Sequence, residues 1–273
     1  MSGLLRIRPL VESDLPLVGH FPPPEWNFSF QDLLRRHLGR SYFIPLVGEC
    51  GGEVAAVGHG LSHGDTGWLG NIIVSEGHRR KGFGLALTSA LMERLRHAGC
   101  RRQVLIATSM GEPLYARLGF RVTGRYTFFK AWRMDGPGAV PGVRPLCAGD
   151  EAELLRLDRQ ATGEDRAALL SGFLLGGFAH RLHPKGDLGG FYLPGLGAGL
   201  VVARDREAGE ALLRFKHMDQ EAGSVIPEDN REARDFLLGL GCLETGTAPR
   251  MELGTELAWR PGMVWSRGAG WCG

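Results

Sequence analysis

His78-Arg79-Arg80-Lys81-Gly82-Phe83-Gly84 decides how this chain is read. It follows the run Trp68-Leu69-Gly70-Asn71-Ile72-Ile73-Val74, whose β-branched end suits a strand. It precedes Leu85 to His97, where Leu87, Leu91 and Leu95 recur at intervals of four on one helical face. Arg94, Arg96 and His97 suit the negative end of that helix, and Gly99 suits the turn out of it. Glycines let backbone come close to a ligand. The first N–H groups of a helix have no internal partner and point outward. With the helix dipole and Arg79, Arg80 and Lys81 beside them, these groups make a phosphate cradle. The plainer reading is a basic, solvated helix start.

Spacing excludes the commoner nucleotide loops. No Gly-Lys-Ser/Thr is present for a P-loop, and Leu87 stands where a dinucleotide fingerprint needs its third glycine. Outward from the loop, Arg6 to Leu10 reads as a short strand with Asp14 capping a helix. Phe21 to Phe30, with its three prolines, reads as a loop, and Gln31 to Leu38 as a helix. Tyr42 to Gly48 and Glu53 to Gly60 flank a hairpin turn at Glu49-Cys50-Gly51-Gly52. Val104 to Ala107 is a strand, and Pro113 to Gly119 brackets a brief helix. Phe120 to Val122 and Arg125 to Trp132 complete the sheet. The order β-α-α-β-β-β-α-β-α-β predicts an α/β fold with a mixed, mostly antiparallel sheet flanked by helices.

Leu114-Tyr115-x-x-Leu118-Gly119-Phe120 lies one helix and one strand beyond the cationic loop. Together, the two motifs resemble the GNAT superfamily of N-acetyltransferases over most of residues 4–133. The resemblance implies an acyl-CoA cofactor; acetyl-CoA is the expected co-substrate, and no metal is expected. It places the pyrophosphate on the backbone amides of Arg79, Arg80, Lys81, Gly82, Phe83, Gly84 and Leu85. It places the pantetheine arm along Ile72, Ile73 and Val74. It makes Tyr115 the acid that protonates the departing thiolate. The chemistry is consistent with this: a thiolate leaving group profits from a nearby acid, and a strand N–H can stabilise charge on a carbonyl oxygen. The alternative for Tyr115 is a ring packed between sheet and helix.

The chain also reads as if written twice. Arg8-Pro9-Leu10 with Asp14 returns as Arg144-Pro145-Leu146 with Asp150 at an offset of 136. Val74 with Arg79-x-x-Gly82-x-Gly84 returns as Val201 with Arg206-x-x-Gly209-x-Ala211, and Leu118-Gly119-Phe120 as Leu240-Gly241-Cys242. Three matches in one order imply repeated structural units. Residues 1–134 form the first GNAT-like domain in this reading. The Gly- and Pro-rich stretch 135–142 is a linker, and 143–273 is a divergent second copy. The whole chain resembles two-domain GNAT proteins. Asp158, the run Thr162-Gly163-Glu164-Asp165-Arg166, Pro249-Arg250-Met251 and the Trp271 tail fit that group loosely. The second loop sets Asp205, Glu207 and Glu210 against Arg204 and Arg206, and carboxylates there repel a pyrophosphate. Aligned on Leu-Gly, Tyr115 corresponds to Leu237, which has no proton to give. No transfer chemistry is expected in the second copy. It is expected to shape the acceptor site or to stand in for the partner subunit of single-domain relatives.

Composition bounds the rest. The 273 residues are 43% hydrophobic with net charge +2, enough for two cores and without a global field for nucleic acid or an acidic membrane. The aromatic share of 8% includes no basic-aromatic stripe, so nucleic acid is not an expected partner. The longest uncharged run, Leu188 to Ala203, is too short for a membrane span. Five cysteines without a CxxC pair fit a reducing cytoplasm.

His59 and His63 lie four apart on one face of a strand, with Asp65 the nearest third donor for a metal. Exposed polar residues are the expected outcome there, and one of the two is a candidate general base or acceptor contact. Glu25 and Trp26 stand in the proline loop as candidates for the acceptor pocket. Two function classes stay open. One is an acyl-CoA-dependent N-acyltransferase acting on a small or protein amine. The other is an acyl-CoA sensor or partner-binding module. The sequence leaves the oligomeric state open, with a monomer plausible.

Overall fold

Leu87, Leu91 and Leu95 are fully buried, so the leucine stripe does seat its helix on a sheet. The computed structural model describes residues 4–26, 28–135, 139–181, 186–219 and 221–272. The first copy runs β1 (Arg6–Pro9), α1 (Leu15–Val18), α2 (Phe30–His37), β2 (Phe43–Cys50), β3 (Glu53–His63), β4 (Thr66–Val74), α3 (Phe83–His97), β5 (Arg102–Ile106), α4 (Glu112–Arg117) and β6 (Arg121–Trp132). The second runs β7 (Val143–Pro145), α5 (Glu151–Thr162), α6 (Ala167–Leu170), β8 (Phe178–His180), β9 (Gly190–Leu193), β10 (Leu200–Ala203), α7 (Arg206–Asp219), β11 (Ala222–Pro227), α8 (Arg231–Gly239), β12 (Glu244–Gly254) and β13 (Val264–Ser266). The element order of the first copy follows the sequence reading. The runs Phe120 to Val122 and Arg125 to Trp132 are joined through one continuous strand, β6. A register shift in its pairing with β12 takes up the irregularity.

An eight-stranded sheet has the order β1-β2-β3-β4-β5-β12-β6-β11, and a five-stranded sheet the order β13-β10-β9-β8-β7. The halves trade strands. β12, from the second half, lies between β5 and β6 of the first, and β6 in turn carries β11 on its far edge. A cut at 135–142 divides the chain but not the sheet. Of that stretch, residues 136–138 lie outside the described residues. One core, including Phe30, Trp68, Phe191 and Trp271, draws on both halves. A second lies under α3 with Phe120 and Met251, and a third under α7 and α8 with Trp265.

The duplication appears in the hydrogen bonds. Arg8 clamps Asp14 with both terminal nitrogens at 2.7 and 2.8 Å, while Asp14 also accepts from the Val11 amide. Arg144 clamps Asp150 at 2.8 and 2.7 Å, and Asp150 accepts from the Cys147 amide. In each copy the guanidinium holds the buried carboxyl well below the usual carboxylate range. A group with a depressed folded pKa stabilises above its unfolded pKa and loses that contribution as pH falls. Replacing Asp150 by Asn removes two charge-assisted bonds. It is expected to lower stability at pH 7 by about 2 kcal/mol in urea melts, with the deficit shrinking below about pH 4. The same loss at Asp14→Asn would show that the two clamps are equivalent.

Candidate active site

The strand-to-helix loop takes its shape from a few backbone decisions. Gly82 adopts φ of 81°, which glycine reaches without steric penalty, and serves as N-cap of α3 with no side-chain cap. Arg80 sits at φ of 61°, a strained value for a residue with a Cβ. Such strain concentrates where a loop is shaped for a ligand. The first intrahelical bond runs from the Ala86 amide to the Gly82 carbonyl. The amides of Phe83, Gly84 and Leu85 are therefore outside the helical ladder. Phe83 is buried and stacks on His78 at 5.8 Å, which anchors the helix start. Arg79, Arg80 and Lys81 are exposed. Arg79 Nε reaches back to the Val74 carbonyl at 3.3 Å and Lys81 Nζ to the Gly77 carbonyl at 2.9 Å.

Beside the loop the sheet opens. β4 and β5 pair in parallel only at Thr66, Gly67 and Trp68, opposite Arg102, Gln103 and Val104. Beyond Trp68 the edge of β4 faces no strand. Ser75 donates its amide to Ala55 of the β3 side at 2.9 Å, so strand alternation turns the amides of Ile72 and Val74 toward the open edge. A bulge precedes them. The register with β3 shifts between Val57 and His59, and Asn71 adopts φ of 50°. The extra residue reverses the side-chain parity: Leu69, Ile72 and Val74 all pack on the α3 side. The Asn71 side-chain amide donates to His59 Nε2 at 3.1 Å, which ties the bulge to β3.

Tyr115 lies on α4, half-buried against Phe120 at a ring distance of 6.1 Å. The start of α4 abuts the start of α3: a Cβ at Gly84 would lie 3.5 Å from Leu114 and 3.7 Å from Val74. The helix carrying Tyr115, the cationic loop and the open end of β4 therefore converge. Desolvation pushes the Tyr115 phenol up to about 12, so it keeps its proton throughout the neutral range.

Residues 7–120 match the model of the acetyltransferase (GNAT) family. The first half of the chain is a GNAT acetyltransferase domain. A Pyrococcus horikoshii protein classed as an acetyltransferase superimposes with a TM-score of 0.83 at 19% identity, covering 98% of this chain and 96% of that one. A GCN5-related N-acetyltransferase from Sphaerobacter thermophilus gives 0.64 at 17% identity, covering 93% and 98%. A tandem GNAT protein from the clavulanic acid biosynthesis pathway gives 0.62 at 15% identity, covering 92% and 98%. At these identities the likeness establishes a fold shared over nearly the whole chain. No curated protein sequence matches the chain.

The second GNAT-like copy shares the frame but not the loop. Phe120 donates its amide to the Tyr115 carbonyl at 3.1 Å, and Cys242 donates to the Leu237 carbonyl at 3.0 Å, with Gly119 and Gly241 both at positive φ. Leu237, fully buried, therefore takes the place of Tyr115. The match of Val201 and Gly209 to the first loop is corrected by the structure. Residues 75–82 separate β4 from α3, but only Arg204 and Asp205 separate β10 from α7. Asp205 caps the helix itself, accepting the Ala208 amide at 3.0 Å. Gly209 lies inside α7 under the Trp265 indole, where a Cβ would fall 2.0 Å from the ring. It is a packing glycine, and an internal carboxylate holds the helix start.

The histidine strand was expected to be exposed and is not. His59 and His63 are buried, and desolvation lowers each to about 3. β3 is covered by a layer that the sequence does not announce. Phe43 packs on His59 at 4.9 Å, and the tail residue Trp271 lies 5.9 Å from it. Trp271 also closes over β4, where a Cβ at Gly70 would come within 2.3 Å of its own. Asp65 pairs with Arg101 and Arg102. Among the described residues no three His, Cys, Asp or Glu side chains gather as a metal site. Trp26 is partly exposed and stacks on Phe28 at 6.4 Å, while the side chain of Glu25 lies outside the described residues.

Proposed function

We propose that the protein is an acyl-CoA-dependent N-acyltransferase that moves acetyl from acetyl-CoA to an amine by direct attack. The first domain carries the chemistry. The observation behind this reading is the loop at Gly82, whose unladdered amides and three cations open beside the unpaired edge of β4. That donor set fits a pyrophosphate and an extended amide-bearing arm. Arg79, Arg80, Lys81, Gly82, Phe83, Gly84 and Leu85 would hold the first, and Ile72, Ile73 and Val74 the second. Acetyl-CoA supplies an activated acetyl thioester. The outward amides of Ile72 and Val74 are suited to donate to its carbonyl oxygen. Tyr115 holds a proton within the same convergence of elements, suited to a departing thiolate.

The second domain has a carboxylate at its helix start and Leu237 in place of the tyrosine, which supports a role without transfer chemistry. No helix among the described residues is long and apolar enough to cross a membrane, and the cysteine usage supports a cytoplasmic setting. Calorimetric titration of the full chain with acetyl-CoA tests the reading. One site per chain is expected, weakened on the order of 100-fold by Arg79→Glu with Arg80→Glu, because each reversal turns attraction at a phosphate into repulsion. Two sites would return the second loop to consideration. No binding at millimolar acetyl-CoA would remove the transferase reading. Binding without CoA release from any amine would favour the sensor.

A further inference from the structure

The bulge in β4 is held from the side by a histidine that the chemistry described so far does not use. Asn71 and Ile72 stand together opposite Gly58 of β3, two residues against one. No side chain at Gly58 keeps the strands apart: a Cβ there would lie 3.1 Å from Ile72 Cγ1 and 3.3 Å from its Cα. The extra residue turns Ile72 to the α3 side and sends the Asn71 side chain to the opposite face. There the Asn71 amide donates to His59 Nε2 at 3.1 Å.

This bond fixes the state of the ring. Nε2 accepts, so the imidazole is neutral and carries its proton on Nδ1. Nδ1 is buried and has no hydrogen-bond partner among the described residues. An orphaned polar atom in a core is unfavourable, and a leucine would fill the space without that cost. The ring is wholly buried, so it is not placed to take a proton from an acceptor amine, as the sequence had allowed. What the histidine offers is one acceptor, aimed at the bulge.

The cover over this ring comes from the second copy. Trp271 lies edge-on to His59 at 5.9 Å, with Phe43 of β2 at 4.9 Å and Phe30 of α2 at 6.5 Å. Phe30, Phe43, Asn71 and Trp271 carry no charge. The titratable group acting on His59 is His37 of α2, itself lowered to about 4 by burial and by Arg36 and Arg40. Tyr42, bonded to His37 Nδ1 at 3.0 Å, is raised, and Cys272 next to Trp271 is pushed up to about 11, so neither adds a negative charge in the neutral range. Desolvation within this cage holds His59 at about 3.

We infer that His59 is a positioning residue for acetyl transfer: through Asn71 it fixes the bulge that turns the Ile72 N–H to the thioester carbonyl, and Trp271 keeps water from it. This rests on the transferase reading above. A donor stabilises developing charge on oxygen best when it is held in place beforehand. A protonated His59 has donors at both ring nitrogens and cannot accept from Asn71. The second copy thereby acts on the chemistry of the first without touching substrate.

The test reads the thioester carbonyl directly and needs no acceptor. Acetyl-CoA labelled with carbon-13 at the carbonyl is bound to the full chain, its stretching band is followed by difference infrared spectroscopy, and calorimetric titration gives its affinity. In the wild type the bound carbonyl is expected to absorb at lower frequency than the free thioester, and equally at about pH 8 and about pH 6, because His59 stays neutral at both. Asn71→Gly leaves the backbone free to keep its φ of 50° and removes the tether. That variant and His59→Leu are expected to lose the low-frequency band while acetyl-CoA affinity stays within a few-fold. His59→Gln, whose amide oxygen also accepts and takes no proton, is expected to keep the band. Trp271→Ala is expected to keep it at about pH 8 and lose it at about pH 6, as His59 returns toward 6.5, and adding His59→Gln is expected to restore it. Should Trp271→Ala not fold, Asn71→Gly and His59→Gln carry the test. A band that survives in Asn71→Gly or His59→Leu, or that responds to Trp271→Ala alike at both pH values, overturns the inference. An unshifted band in the wild type also overturns it and leaves the transferase reading intact. Failure to bind acetyl-CoA overturns both.

Discussion

Tyr115→Phe is expected to lower kcat by about 100- to 1000-fold while acetyl-CoA affinity stays within a few-fold. The expectation follows from what the substitution leaves alone. The ring stays packed on Phe120, and the start of α4 keeps its place against α3. Only the hydroxyl is lost, and desolvation alone shifts the phenol, with no hydrogen bond to it among the described residues. General-acid assistance contributes about 10² to 10⁴ in rate, and a phenol held up to about 12 is protonated wherever the enzyme works. Steady-state kinetics and a calorimetric titration on the same preparation check both halves. A variant with wild-type kcat would show that Tyr115 serves packing alone, and a proportional loss of affinity would make it a binding residue.

Stability is expected to fall steeply between pH 6.5 and about 4.5. His37 and His217 are lowered by burial to about 4, and His59 and His63 to about 3, from an unfolded value of 6.5. In that window the unfolded chain binds protons that the folded chain refuses. Each such group contributes up to about 1.4 kcal/mol per pH unit, and stability rises with pH wherever the unfolded state binds more protons. Glu164 works in the opposite direction. Burial raises it to about 7, so between 4.5 and 7 the folded chain keeps a proton that the unfolded chain releases. Four histidines against one carboxyl leave a net slope of up to about 4 kcal/mol per unit, large beside a total stability of about 5–15 kcal/mol. Urea melts at half-unit pH steps measure the slope. His63→Leu is expected to flatten it by about 1.4 kcal/mol per unit. A flat profile would mean that these rings take up protons within the fold.

Local chemistry was legible in the residues. The stripe Leu87, Leu91, Leu95 is a helix because a period near four places one face on a sheet, and it does so whatever lies elsewhere. Gly82 opens a helix and Gly119 closes one because only glycine enters those conformations freely. Arg8 with Asp14 and Arg144 with Asp150 recur as identical clamps because the partners lie six residues apart. The cationic loop, the helix start behind it and the position of Tyr115 all belong to this class. The bulge at Asn71 left one faint signal, an asparagine in an otherwise β-branched run, and asparagine tolerates positive φ better than most residues.

Interactions between distant segments followed other rules. Spacing matched Gly209 to Gly82, yet one packs beneath Trp265 and the other turns a loop. A glycine's role depends on what approaches it, and that neighbour is remote in sequence. His59 and His63 looked exposed because alternation marks a strand's two faces but cannot say which face Trp271 will cover. The exchange of β6 and β12 was invisible, since backbone pairing between strands more than a hundred residues apart leaves no periodicity to read. That exchange carries the run Pro249-Arg250-Met251 to the parting of β4 and β5. The chemistry near each bond in the chain could be read along it. The company each side chain keeps was set by which of many compatible strand edges closed together, a choice made by burial of whole surfaces.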